Sequence, residues 1–212
     1  MNLLSLETTS KRLSLAVFRT GRPVVEQAWE SSDAAREIVP VLQGMLKETS
    51  MAMDAFDYVV ISTGPGSWTG TRMGIALAKG LVLGERKRLY AISTFEGLRH
   101  GMPVEETAVC CIVDAARGKF YCSFFSGSAP ADDTATETRI LTLEELGASS
   151  TGRTLLAGPA VADIAERMKD HGSLVCAEQR FWYPSATRNG YVALRKLARG
   201  VPSLPPEPFY GR

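Results

Sequence analysis

Histidine is almost missing from this chain: His100 and His171 are all it has. They form no HxxxH or HExxH pair, so the sequence offers no histidine-built metal site. The four cysteines, Cys110, Cys111, Cys122 and Cys176, lack any CxxC spacing. Three of them sit in strand-like runs and read as buried free thiols. Apolar runs such as Ala108 to Val113 fall far short of the ~20 residues that cross a bilayer. The opening residues have no basic stretch ahead of their apolar ones, which argues against a signal peptide and for a cytoplasmic protein. Excess charge is lacking too. With 24 basic and 23 acidic residues the net charge is +1, without the basic footprint of a nucleic-acid binder. Any RNA would be reached only indirectly, through a partner.

What is present is a regular alternation of strand and helix patterns. "LLSLETT", "RLSLAVFRTG" and "PVVEQAWES" read as three strands. A helix is expected from Asp33, its N-cap, to Thr49, with Pro40 inside it. "FDYVVIST" reads as a buried strand, followed by a glycine-rich loop and a helix from Gly70 to Leu83. "RLYAIS" is a strand and "TFEGLRHG" a short helix with Thr94 as its expected cap. In the second half, "AVCCIVD" and "KFYCSFF" form a hairpin, Ser126 to Glu137 a long connection, and "RILTL" and "TLLAGP" two strands. "AVADIAERMKDHG" and "SATRNGYVALRKLARG" read as amphipathic helices, and "VPSLPPEPFYGR" as an extended proline-rich tail.

One internal echo organises these elements. "LLSLETTSKRLSLAVF" (Leu3 to Phe18) and "CCIVDAARGKFYCSFF" (Cys110 to Phe125) share a design about half the chain apart. Each is an apolar strand ending in an acid (Glu7, Asp114), a short polar turn with a lysine, and a second apolar strand. The repeat suggests two copies of a βββαβα unit, divided into residues 1–104 and 105–212.

The glycine loop, "GPGSWTGTRMGIALAKG", is not a phosphate cradle of a known pattern. A P-loop needs GxxxxGK(S/T); here five residues separate Gly64 from Gly70, and Thr71-Arg72 follows instead of a lysine. The dinucleotide pattern GxGxxG fails at Thr69, and Pro65 removes one N–H from the turn. The helix after it carries small residues at 70, 74 and 78 and again at 76, 80 and 84, which predicts close packing on more than one side. In the preceding helix Ala35, Ile38, Leu42 and Met45 make one stripe, widened by Val39, Val41 and Leu46. The acids at the two hairpins are expected to tie down their own turns, with a cross-cleft acid–base pair as the alternative. The basic run Glu85 to Arg88 complements a helix C-terminus, and Arg188, Arg195 and Arg199 read as a solvated helical face.

"GPGSWTGTRMGIALAKGL" (Gly64 to Leu81) resembles the signature of the TsaB (YeaZ) family, with Trp68 in the usual Phe place. The Leu3 to Phe18 hairpin, "DAARGKFY", "LLAGPA" and "EPFYGR" resemble other family segments along the whole length. The resemblance implies an α/β, actin/sugar-kinase-like (ASKHA) fold of two RNase H-like lobes, the second degenerate. It implies a non-catalytic subunit that binds TsaD through its N-terminal helices. TsaD transfers threonylcarbamoyl to the adenosine beside the anticodon of tRNAs reading ANN codons, and the ATPase TsaE completes the assembly. ATP and metal are expected on those partner subunits, with no cofactor in this chain. A homodimer through the same surface is a further expectation. The chain departs from the family in Glu7, where Asp is commoner, and in Ala34-Ala35, where His-Ser or His-Thr is common.

On this basis the expected docking residues are Ile38, Leu42, Met45, Arg72, Ile75 and Lys79, with Arg72 and Lys79 pairing with acids of the partner. Gly64, Pro65, Gly66, Ser67 and Gly70 form the structural signature loop. Two alternatives stay open from the residues: an ATPase or peptidase-like enzyme of the same fold, or a homodimeric regulator of TsaD stability.

Overall fold

In a computed structural model, described for residues 1–102, 108–125, 138–150, 152–167 and 172–209, the chain builds two five-stranded sheets. The first takes β1 (Leu3–Glu7), β2 (Arg12–Arg19), β3 (Arg22–Glu30), β4 (Tyr58–Ser62) and β5 (Arg88–Ile92) in the order β3-β2-β1-β4-β5. The second takes β6 (Ala108–Asp114), β7 (Lys119–Phe125), β8 (Arg139–Thr142), β9 (Thr154–Ala157) and β10 (Leu174–Cys176) in the order β10-β9-β6-β7-β8. In each, three antiparallel strands precede two that join in parallel. The hairpin echo therefore extends to the whole sheet, and the fold is the doubled RNase H-like, actin/sugar-kinase-like architecture.

The helices show the second half to be reduced. In the first, α1 (Ala34–Thr49) and α2 (Trp68–Val82) cover one sheet face. Their counterparts α4 (Leu143–Ser149) and α5 (Val161–Ile164) are a turn or two long. The expected helix after Ala160 is described as helical only over Val161–Ile164, and its later residues lie partly outside the described ones, as does the Ser126 to Glu137 connection. The short helix α4 begins at a capping box: the Glu145 N–H donates to Thr142 Oγ1 at 3.2 Å, and the Thr142 N–H donates to the Glu145 carboxylate at 2.8 Å.

Central strand β1 is buried along its whole length because both its faces are covered. Leu4 and Leu6 join Leu15, Val17, Val59 and Ile61 under α1 and α2. Leu3 points the other way, with Phe18, Val60 and Ile92, onto α6 (Ala186–Ala198). Each such buried Leu or Ile contributes roughly 1.5–3 kcal/mol. The helices α3 (Thr94–Arg99) and α6 exchange partners. α3 packs its Phe95 and Leu98 on Val109 and Cys111 of the second sheet, while α6 returns to the first. β5 ends at Ile92 and β6 begins at Ala108, so each sheet comes from one half of the chain, while each half lends a helix to the other. The exchange follows from α3 being apolar toward the second sheet and α6 presenting Ala186, Val192 and Ala193 to the first.

Two helix starts differ from expectation. α2 opens at Trp68, since the Ser67 hydroxyl accepts the Gly70 N–H and so acts as N-cap. α3 is capped by Ser93, with Glu96 closing a capping box, while Thr94 is buried and donates to Thr9 Oγ1 at 3.2 Å. Asp33 is N-cap of α1, but its carboxylate takes no backbone N–H of the helix and pairs with the Arg36 side chain at 3.2 Å instead.

Candidate functional site

The signature loop meets the β1–β2 turn at van der Waals limits. A methyl group on Gly66 would lie 2.2 Å from the Thr9 carbonyl oxygen, and one on Gly70 2.1 Å from that of Thr8. On Gly74 it would lie 2.1 Å from Thr8 Oγ1. At Gly66 and Gly70 glycine is required because backbone meets backbone, and at Gly74 because the Thr8 hydroxyl lies against the helix. The Ser67 N–H donates to the Thr9 carbonyl at 2.6 Å, and the Gly70 N–H is taken by Ser67 Oγ. Two of the N–H groups that could face an anion at this helix N-terminus, those of Ser67 and Gly70, are thus engaged within the chain.

The acid of the first hairpin is turned inward. Glu7 is fully buried, and one carboxylate oxygen accepts from the Thr9 N–H (2.6 Å) and the Thr9 hydroxyl (2.5 Å). The other accepts from Ser62 Oγ and from Asn189 Nδ2 at 2.8 Å. Asn189 also donates to Ser62 Oγ at 2.7 Å, and Gly97 makes room for it, since a methyl there would stand 2.0 Å from Asn189 Oδ1. One buried carboxylate thereby ties β1, β4 and α6 together. A buried charge is tolerated only when hydrogen-bonded this fully.

At the second hairpin Asp114 is exposed and accepts the Ala116 N–H at 3.0 Å. Ala116 and Arg117 there adopt left-handed backbone with φ of 64° and 56°. Both acids therefore tie down their own turns. Between the hairpins lies an open cleft of about 530 Å³ lined by Thr9, Lys11, Trp68, Asp114, Ala116 and Tyr121 among others. Lys11 at its mouth has its pKa raised, chiefly by a hydrogen bond with Tyr183 and also by the Glu30 carboxylate. Among the described residues no three His, Cys, Asp or Glu side chains gather as a metal-holding group. None of the described helices is long and apolar enough to cross a membrane.

The expected docking residues divide into two sets. Ile38, Leu42, Met45 and Ile75 are 2%, 4%, 0% and 4% exposed and belong to the core between the helices and the first sheet. They are corrected from surface to core: the most regular apolar stripe of each helix faces its own sheet. Arg72 and Lys79 are exposed. The Arg72 guanidinium lies 3.9 Å above the Trp68 ring, a cation–π stack. The outer face of α2 runs Trp68, Arg72, Ala76, Lys79 and Leu83, with Trp68 56% and Leu83 83% exposed. Val39 and Gly44 lie on the outer side of α1, and nothing stands within 4 Å of where a methyl on Gly44 or Gly80 would sit. Trp68, Leu83 and Val39 were missed as surface candidates. The signal was helical phase: Thr71, Gly74, Ile75 and Ala78 point inward, so positions 68, 72, 76 and 79 must point out, and Leu83 follows them as the exposed residue that ends the helix.

A family profile for TsaD, tRNA N6-adenosine threonylcarbamoyltransferase, matches residues 30–177. The chain is similar to the tRNA threonylcarbamoyladenosine biosynthesis protein TsaB of Bacillus subtilis, 27% identical over 126 residues (59% of this chain, 55% of the relative). It is similar to the Escherichia coli protein of that description at 27% over 123 residues (57% and 53%). The matched region spans about half the length of these curated relatives. In fold it is similar to the solved structure of YeaZ from Pseudomonas aeruginosa, with a TM-score of 0.81, 21% identity, and 99% and 100% of the two chains covered. With the profile matching most of its length and curated TsaB relatives beside it, the chain belongs to the TsaD family as one of its TsaB-type members.

Proposed function

We propose that this chain is a non-catalytic, cytoplasmic partner subunit in the biosynthesis of threonylcarbamoyladenosine in tRNA. It docks on TsaD, with TsaE completing the assembly, through the outer faces of α1 and α2. The observation that carries the reading is the exposed row Trp68, Arg72, Ala76, Lys79 and Leu83 beside the open Gly44 and Gly80. A partner helix can approach the two glycines at backbone distance and bury the large apolar groups around them. Contact on the scale of roughly 1,200–2,000 Å² suffices for a specific complex. Arg72 and Lys79 would then meet acids of the partner. The lack of own chemistry is supported by Glu7, whose carboxylate is held by Thr9, Ser62 and Asn189 instead of facing the cleft. A second copy of the chain would fit the same face, which makes the homodimer a competing state of one surface.

Reconstitution tests the reading. TsaD and TsaE supplied with threonylcarbamoyl-adenylate should modify tRNA with this chain present and lose most of the activity without it; equal modification without it refutes the proposal. Trp68→Ala and Leu83→Asp should leave the fold intact and weaken TsaD binding by at least about 2 kcal/mol for the tryptophan. Leu42→Asp should unfold the chain instead. A Trp68→Ala, Leu83→Asp double variant that binds TsaD normally, by titration calorimetry, would remove this face from consideration.

A further inference from the structure

β5 is the last strand of the first sheet, so one of its edges should present unpaired N–H and C=O groups. That edge is covered from within the chain. The Leu204 N–H donates to the Ala91 carbonyl at 3.1 Å, making an antiparallel bridge. The Ala91 N–H donates to Ser203 Oγ and the Tyr90 hydroxyl to the Val201 carbonyl, each at 2.8 Å. Farther on, the Phe209 N–H donates to the Thr63 carbonyl at 2.8 Å, at the exit of β4 into the signature loop. The Phe209 carbonyl oxygen lies only 2.9 Å from where a methyl on Gly64 would sit. The other polar groups at that exit are engaged too: the Thr63 N–H donates to the Ile92 carbonyl and the Thr94 N–H to the Gly64 carbonyl, both at 2.9 Å.

The composition of the covering segment suits an edge that must end. Pro202, Pro205, Pro206 and Pro208 have no N–H to offer a further strand. The N–H groups of Val201, Leu204, Glu207 and Phe209 all donate inside the chain, to Lys196, Ala91, Pro205 and Thr63. The segment therefore satisfies the sheet edge at Ala91 and leaves none of these four N–H groups for a further strand.

From these contacts we infer that Val201–Phe209 is a strap: it covers the β5 edge at Ala91 and braces the turn from which α2 springs. Because α2 carries the exposed face assigned above to TsaD, the strap controls how rigidly that face is presented. This last step rests on the docking proposal, while the brace itself does not. The bond from Phe209 is placed to do this because it holds the residue immediately before Gly64.

Amide hydrogen exchange on the full chain tests the brace without any partner. In the unmodified protein the Leu204 and Phe209 amides should be protected; exchange at free-peptide rates overturns the strap. Phe209→Pro removes the donor, and Phe209→Ala keeps it. Phe209→Pro should speed exchange at Ser67 and Thr71 at least about tenfold, while Leu4 and Leu6 in β1 stay as slow as before and report an intact fold. Phe209→Ala should leave Ser67 and Thr71 near their original rates. Unchanged rates in Phe209→Pro, or equal loosening in both variants, overturns the inference. TsaD affinity is then measured on the same proteins, with a loss of about fivefold or more expected for Phe209→Pro. If the turn loosens and affinity holds, the control of docking is refuted. If the unmodified chain does not bind TsaD, the docking proposal fails and the exchange data alone decide the brace.

Discussion

Replacing a glycine by alanine within α2 should have opposite effects at its two sides. At Gly74 the added methyl would stand 2.1 Å from Thr8 Oγ1 and 3.1 Å from Ile61 Cδ1, where ordinary contact begins near 3.4 Å. Thr8 and Ile61 are both buried, so the helix must move off the sheet by about an ångström or the turn must rearrange. Overpacking of that severity costs about 3 kcal/mol, against a helix-propensity gain of about 1 kcal/mol. The net loss of about 2 kcal/mol corresponds to a Tm lowered by roughly 4–8 °C for a chain of this size. At Gly80 and at Gly44 in α1 nothing lies within 4 Å. Alanine there should only gain propensity, about 0.5–1 kcal/mol, and raise Tm by roughly 1–4 °C. Thermal melts followed by far-ultraviolet circular dichroism give both signs in one series. Thr8→Ala should restore most of the stability lost in Gly74→Ala, because it removes the hydroxyl in the way, with a coupling of about 1 kcal/mol or more. If Gly74→Ala melts at or above the parent temperature, the close-approach argument for the signature glycines is wrong.

The two hairpin acids should also part company. Glu7→Gln sets an amide against donors from Thr9, Ser62 and Asn189, which should cost about 2–4 kcal/mol. Asp114→Asn, exposed and holding one turn N–H, should stay within about 0.5 kcal/mol of the parent; similar Tm shifts for both would contradict the inward-turned network. Alkaline pH gives a third check. Burial pushes the Cys111 thiol from 9.0 up to about 12. An unfolded chain ionises this thiol first, so the folded state binds the extra proton between those values. Stability from this group is complete below pH 9 and falls by about 1.4 kcal/mol per unit as pH rises toward 12. Cys111→Ala should flatten that slope in melts taken from pH 8.5 to 11; an unchanged slope would count against the burial argument.

The strand content was legible because period-two alternation and short polar turns are local. The Leu3 to Phe18 and Cys110 to Phe125 hairpins could be matched without knowing what packed on them. Helix starts were off by a residue or two: α2 begins after its cap Ser67 where Gly70 was expected to open it, and Ser93 caps α3 where Thr94 was expected, because several adjacent small polar residues can serve and only geometry selects one. α4 was missed although Thr142 and Glu145 spell a capping box; after a strand pattern, so short a helix has too few turns to show a period. The docking residues failed for a different reason. Apolar positions on α1 and α2 exceed one stripe, and composition cannot say which stripe the sheet takes. The sheet takes the more regular one, Ile38, Leu42 and Met45, since burial against a flat face demands continuity. Trp68, Leu83 and Val39 are left exposed for the proposed partner.

Least legible was the bond between Glu7 and Asn189, 182 residues apart. Its consequence reaches beyond stability. An acid at the end of β1 in this architecture stands where the cleft between the two halves begins, and the cleft here is open, at about 530 Å³. Turning Glu7 toward α6 leaves that cleft without its first carboxylate and gives the carboxylate a structural task, joining the first strand to a helix from the opposite end of the chain. Thr9, which donates twice to Glu7, also accepts the Ser67 N–H through its carbonyl. The same turn therefore locks the acid on one side and seats the signature loop on the other. If α2 docks as proposed, the residue that keeps Glu7 turned inward also steadies the docking helix, and Thr9 serves both through different groups.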